Sequence, residues 1–164
     1  VVSDLEEARA AAAAVTDPEV PVLTIEDLGV LRGVEEAGDG RVVVTITPTY
    51  SGCPAMEVIA RQVEEAVRAA GFAAVEVRTV LSPPWTTDWL TEAGRRKLAE
   101  AGIAPPARTS RSGTGTRVPV ALGLRCPRCG STSTRIVSRF GATACKAVHA
   151  CRACGEPFEE FKAL

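Results

Sequence analysis

Cys126-Pro127-Arg128-Cys129-Gly130 and Cys151-Arg152-Ala153-Cys154-Gly155 decide how the last third of this chain folds. Each is a C-x-x-C turn. The chain reverses tightly enough to set two thiolates around one metal ion, and the glycine that follows allows the left-handed geometry of the reversal. Two such turns facing each other supply the tetrahedral sulfur shell that Zn²⁺ prefers. The pairs are 21 residues apart, slightly more than the usual ~15–20 for this pattern, which leaves room for a β-hairpin between them. The expected ligands of a structural zinc are therefore Cys126, Cys129, Cys151 and Cys154. A site with four protein ligands is closed, so it serves folding and docking rather than catalysis.

Composition sets the frame around these knuckles. At 164 residues the chain is one domain or two small ones. Hydrophobic residues make up 46% without a run of membrane length; the longest apolar stretch, Ala8 to Val15, is mostly alanine and is broken by Arg9. No secretory leader is legible, and the first residue is not Met, which leaves room for a preceding segment. Six cysteines without such a leader point to a reducing cytoplasm. Aromatic residues are only 4%, so the core has to be aliphatic. The net charge of −1 hides a polarity: residues 1–103 hold 9 basic and 17 acidic side chains, residues 104–164 hold 10 and 3.

Outward from the ribbon, the first part of the chain reads as a small α+β domain. Ser3-Asp4-Leu5-Glu6 has the form of a capping box, with Leu5, Ala8, Ala12 and Val15 on one helical face. Asp17-Pro18 ends that helix. Val30–Glu36 and Arg41–Thr49 read as strands joined at Asp39-Gly40. Pro54 starts a second helix whose stripe includes Ala55, Ile59, Val63 and Val67, capped by Gly71. A third strand around Val75–Thr79 gives a strand–helix–strand crossover, hence a parallel pair. A last helix is expected over Asp88–Glu100, with Leu90 and Leu98 inward. Residues 104–119 are rich in Pro, Gly, Ser and Thr and lack periodicity. The expected organisation is a mixed-sheet domain at 1–103, a linker at 104–119 and a zinc ribbon at 120–164.

Cys53 is the notable thiol outside the ribbon. At the head of a Pro-started helix it meets unpaired N–H groups and the positive end of the dipole, which favour a thiolate. A buried cysteine acting as a small hydrophobe is the competing reading. Cysteine hydrolase chemistry is disfavoured, because a cysteine nucleophile needs a base and the single histidine, His149, lies in the other half. Asp17-Pro18-Glu19-Val20-Pro21 reads by composition as a solvated helix stop. Thr47-Pro48-Thr49-Tyr50-Ser51-Gly52-Cys53 is a loop able to receive an anion or a metal through N–H groups and Cys53.

These two segments resemble the small domain shared by SufT and the cytosolic iron–sulfur targeting proteins. Together with Pro83-Pro84-Trp85-Thr86-Thr87-Asp88-Trp89, Gly102-Ile103-Ala104-Pro105-Pro106, Phe140-Gly141-Ala142-Thr143-Ala144-Cys145-Lys146-Ala147 and the terminal ribbon, the chain resembles the PaaD family, accessory components of the phenylacetyl-CoA epoxidase system. The resemblance implies an α+β domain and a non-catalytic role in maturing iron–sulfur proteins. The client is expected to be the iron–sulfur reductase of a multicomponent monooxygenase in phenylacetate degradation, in the cytoplasm. The family's cysteine motif falls on Cys53 and its acidic motif on Asp17 and Glu19, so a transient iron–sulfur cluster joins the structural zinc among the expected cofactors. A homodimer is left open.

A second function class competes. Nine basic residues between Arg108 and Arg152 occur with no acid among them, and zinc ribbons of this charge can bind nucleic acid through phosphates. Phe140 is the one aromatic residue between the knuckles, which is poor in stacking surface, so a protein partner is favoured. An oxygenase subunit with its own redox centre is the weaker reading, because neither a Glu-x-x-His pair nor a His₂-carboxylate set can be built from one histidine. His149 is expected at the surface or in the hairpin rather than on the metal.

Overall fold

The computed structural model describes residues 2–106 and 124–162. They form α1 (Val2–Ala13), β1 (Leu31–Glu36), β2 (Val42–Ile46), α2 (Ala55–Ala69), β3 (Val75–Thr79), a 3-10 turn (Thr87–Trp89), α3 (Glu92–Glu100), β4 (Ile103–Ala104), β5 (Thr134–Ser138), β6 (Lys146–Cys151) and β7 (Pro157–Phe161). The chain divides into two compact units, 1–94 and 95–164.

In the first unit a three-stranded sheet has the order β1-β2-β3. β1 and β2 are antiparallel, and β2 and β3 are parallel in the register Val42↔Val75 to Ile46↔Thr79. This is the pair that the strand–helix–strand order requires. Ala55, Ile59, Val63 and Val67 recur every four residues and form the buried stripe of α2. Gly71, at φ 104°, closes α2 with its N–H on Arg68 O. Ala8, Ala12 and Val15 are buried as the helical spacing of α1 demands, and Val20, Leu23, Ile25, Leu28, Val44 and Ile46 complete an aliphatic core. α1 already begins at Val2, so the Ser3 box lies inside the helix and not at its cap.

The last helix starts four residues later than its spacing suggested. Thr91 Oγ1 accepts the Gly94 N–H at 3.0 Å and caps α3, while Thr87–Trp89 forms a separate 3-10 turn. Leu90 and Leu98 are buried, as expected.

The second unit is a four-stranded sheet of order β4-β7-β6-β5. β5 and β6 are the hairpin between the knuckles, and β6 pairs antiparallel with β7. Residues 95–103, read from sequence as the end of the first domain, sit with this unit. β4 lies parallel to β7, with Ile103 opposite Glu159 and Ala104 opposite Glu160. Arg95 Nη1 donates to Pro106 O at 2.7 Å. Most of the expected linker, residues 107–119, lies outside the described residues.

Candidate metal centre and thiol site

The two knuckles repeat one backbone pattern. Gly130 N–H donates to Cys126 O at 2.9 Å, and Gly155 N–H to Cys151 O at 3.0 Å. Cys126 N–H reaches Ser131 O and Cys151 N–H reaches Glu156 O, both at 2.9 Å. Gly130 and Gly155 take φ of 74° and 79°, a region closed to most side chains. The turns therefore impose the same geometry on each pair of thiols.

The four sulfurs converge. All lie within 4.8 Å of one another, with Cys126 Sγ 3.8 Å from Cys154 Sγ and Cys129 Sγ 3.6 Å from Cys151 Sγ. A tetrahedron with Zn–S bonds of about 2.3 Å has edges of roughly 3.8 Å, so the converging donor set suits a structural zinc. Cys151 is lowered to about 6, first by the N–H of Cys154, which stabilises its thiolate. Cys126 and Cys151 are buried with Ala104 and Phe158, and Leu124 packs against this cluster. The outer thiols, Cys129 and Cys154, are exposed.

His149 is not among the converging donors. It is buried on β6, stacks on Phe158 with ring centroids 5.7 Å apart, and shares a 2.8 Å bond between Nε2 and Glu160. It lies in the hairpin, as expected, but it is packed and not at the surface. The signal was the alternation itself: Ala147, His149 and Cys151 fall on one face of a strand. Cys145 is also buried, and Thr143 Oγ1 lies 3.1 Å from its sulfur.

The second site is built by the β2–α2 loop and the segment after α1. Cys53 is buried just ahead of α2, with its N–H on Tyr50 O at 3.3 Å. Gly52, at φ 79°, turns the chain into it. Asp17 is no solvated helix stop. It is 6% exposed, and its Oδ1 accepts the N–H groups of Glu19 (2.7 Å) and Val20 (2.9 Å). That clamp holds Glu19 in place between two prolines.

Both carboxylates lie close enough to act on Cys53. Burial pushes the thiol above its ordinary value; the Ala55 N–H lowers it, Glu19 raises it, Tyr50 lowers it by a side-chain hydrogen bond, and Asp17 raises it. The helix-start effect expected from sequence is present in the Ala55 N–H. Desolvation outweighs it, so the resting thiol is protonated, contrary to the thiolate expectation. Tyr50 is a participant that its sequence did not single out, although it lies in the loop leading to Cys53.

The sequence profile of an iron–sulfur cluster assembly protein matches residues 5–80, and that of the PaaD zinc beta ribbon domain matches residues 110–162. A protein of Escherichia coli (strain K12) named as a component of 1,2-phenylacetyl-CoA epoxidase is 47% identical over 92% of this chain and 87% of its own length. The chain belongs to the PaaD family. An Fe-S protein maturation auxiliary factor of Porphyromonas gingivalis is 35% identical over 51% of this chain and 80% of its own. The Fe-S protein maturation auxiliary factor YitW of Bacillus subtilis is 39% identical over 45% of this chain and 72% of its own. The crystal structure of a domain of unknown function, DUF59, from Bacillus anthracis superposes with a TM-score of 0.54 at 26% identity, covering 59% of this chain and 92% of that one. The α+β domain followed by a zinc ribbon is thus the family's architecture. Among the described residues no helix is long and apolar enough to cross a membrane.

Proposed function

We propose that this PaaD-family protein is a non-catalytic accessory factor that assists iron–sulfur cluster assembly in the reductase component of a phenylacetyl-CoA epoxidase. The observation that carries the reading is the coincidence, on one chain, of the cluster-assembly domain with the PaaD ribbon, backed by a relative named for that epoxidase that matches most of the chain.

In this reading the two sites divide the work. Cys126, Cys129, Cys151 and Cys154 hold zinc, whose contribution is to tie the two knuckles into one folded ribbon. Cys53 is the functional thiol, and its cargo is iron or a cluster. Asp17 and Glu19 disfavour an anionic sulfur, and the same negative potential favours an arriving cation, which then makes deprotonation of Cys53 worthwhile. Tyr50 and the Ala55 N–H orient the sulfur.

Cys53→Ser tests the assignment because it is nearly isosteric. The fold and zinc content should persist, while the cluster content of the co-expressed reductase and the epoxidation rate fall together. If both equal wild type in cells lacking any other maturation factor of this kind, Cys53 is a structural residue.

A further inference from the structure

The ribbon's carboxylates are all committed. Glu156 pairs with Arg128, Glu159 with Lys146 at 3.4 Å, and Glu160 with His149 at 2.8 Å. These are the only acids between residue 104 and the last residue. Arg135, Arg139 and Arg152 are left with no carboxylate partner among the described residues. Arg135 lies on β5 and Arg139 directly after it.

β5 is also the end strand of its sheet, paired with β6 alone among the described residues. Arg152 N–H donates to Ser133 O at 2.8 Å, and the register continues Thr134↔Cys151, Arg135↔Ala150, Ile136↔His149. Hydrogen-bonded and non-bonded pairs alternate in an antiparallel ladder. Ser133 and Arg135 therefore turn their backbone groups toward β6, and Thr134 and Ile136 turn theirs to the open side. The Thr134 N–H is taken up locally by Thr132 O at 3.0 Å, so the edge offers the Thr134 carbonyl and both groups of Ile136. The register shifts after Ile136, which limits the straight edge to a few residues.

Large apolar side chains stand out on β5 itself: Ile136 is 53% exposed and Val137 54%. Phe140, 61% exposed, stands in the turn after β5, where Ser138 Oγ donates to its backbone O at 2.7 Å and Lys162 Nζ lies 5.0 Å from its ring centroid. Two such residues on an open edge strand mark a surface made to be covered.

We propose that β5 receives an extended acidic segment of a partner protein as an added strand. Its backbone pairs with the Thr134 carbonyl and with Ile136, its apolar side chains cover Ile136, and its carboxylates meet Arg135 and Arg139. Strand addition supplies affinity from the main chain and specificity from alternate side chains. A second copy of β5 would set arginine against arginine, which opposes pairing. Nucleic acid would use the arginines and leave Ile136 and Val137 without a counterpart, because aliphatic side chains offer bases no stacking face. This inference does not depend on the client named above.

The test uses the zinc-loaded full chain, labelled with ¹⁵N, and an end-capped heptapeptide of alternating glutamate and valine at up to about 1 mM. Shifts should be confined to residues 133–140 and to the facing residues of β6, and exchange of the Ile136 amide should slow by about tenfold. Ile136→Pro removes an outward N–H that an edge strand does not need for folding, so it should abolish the response while zinc stays stoichiometric. Arg135→Glu with Arg139→Glu should abolish it too without touching the backbone, and carries the test should the proline variant lose its zinc. The proposal is overturned by any of four results. These are no shift at β5, an equal response to the lysine–valine heptapeptide, a response to duplex DNA in place of the acidic peptide, or concentration-dependent self-pairing through β5 without peptide.

Discussion

Withdrawing the metal should unfold residues 124–162 and leave residues 2–94 folded. Among its described residues the second unit buries three large apolar side chains, Leu98, Phe158 and Phe161. At ~1.5–3 kcal/mol each they contribute about 5–9 kcal/mol. A structural zinc in a four-ligand site contributes ~10–16 kcal/mol. The metal therefore outweighs the large apolar side chains of the ribbon, and its loss cannot be absorbed. The assay is an ¹H–¹⁵N spectrum of the reduced chain before and after a strong chelator, with residual zinc measured on the same sample. Amide dispersion should collapse across the ribbon and return with one equivalent of Zn²⁺. Acid should act in the same direction, because the ligands must be deprotonated. If dispersion across 124–162 survives in verified zinc-free protein, apolar contacts suffice and the reasoning fails.

Three further outcomes are expected. His149→Ala should keep one zinc per chain, since four sulfurs complete the shell, while the ribbon loses about 1–3 kcal/mol with the Glu160 bond and the Phe158 stack; loss of zinc at neutral pH would show that the ligand set is wrong. Gly29→Ala should destabilise the first unit by about 2 kcal/mol or more in urea, because φ is +71° and the new methyl would stand 2.6 Å from Trp89 O; an unchanged midpoint would refute the clash. Glu19→Gln should speed alkylation of Cys53 by iodoacetamide at pH 8, because removing a charge that raises the thiol lowers its pKa and enlarges the thiolate fraction; a slower reaction would mean that Glu19 does not act on Cys53 electrostatically.

The parts of the fold that were legible are those fixed by short-range rules. The spacing of Ile59, Val63 and Val67 could only be one face of a helix, and the paired C-x-x-C-Gly turns could only bring four sulfurs together. The missed parts depend on partners distant in sequence. Ile103 and Ala104 carry no strand signature of their own and become β4 because β7 offers an edge some 55 residues later. Their neighbours Pro105 and Pro106 read as linker for the same reason, yet Pro106 O is the acceptor for Arg95. The start of α3 turned on Thr91 being a better cap than Asp88, a choice that propensity alone does not make.

Cys53 shows how a thiol at a helix start can shift in the direction opposite to the one its local sequence suggests. Helix-start geometry depends on local sequence, and the Ala55 N–H does favour the thiolate as that geometry requires. Desolvation depends on how the β2–α2 loop is covered, and Asp17 and Glu19 reach the thiol only because the segment after α1 is folded back by the Asp17 clamp. Neither is written in the residues next to Cys53. The consequence is chemical: burial and the two carboxylates hold the sulfur back from the thiolate and slow its attack on electrophiles.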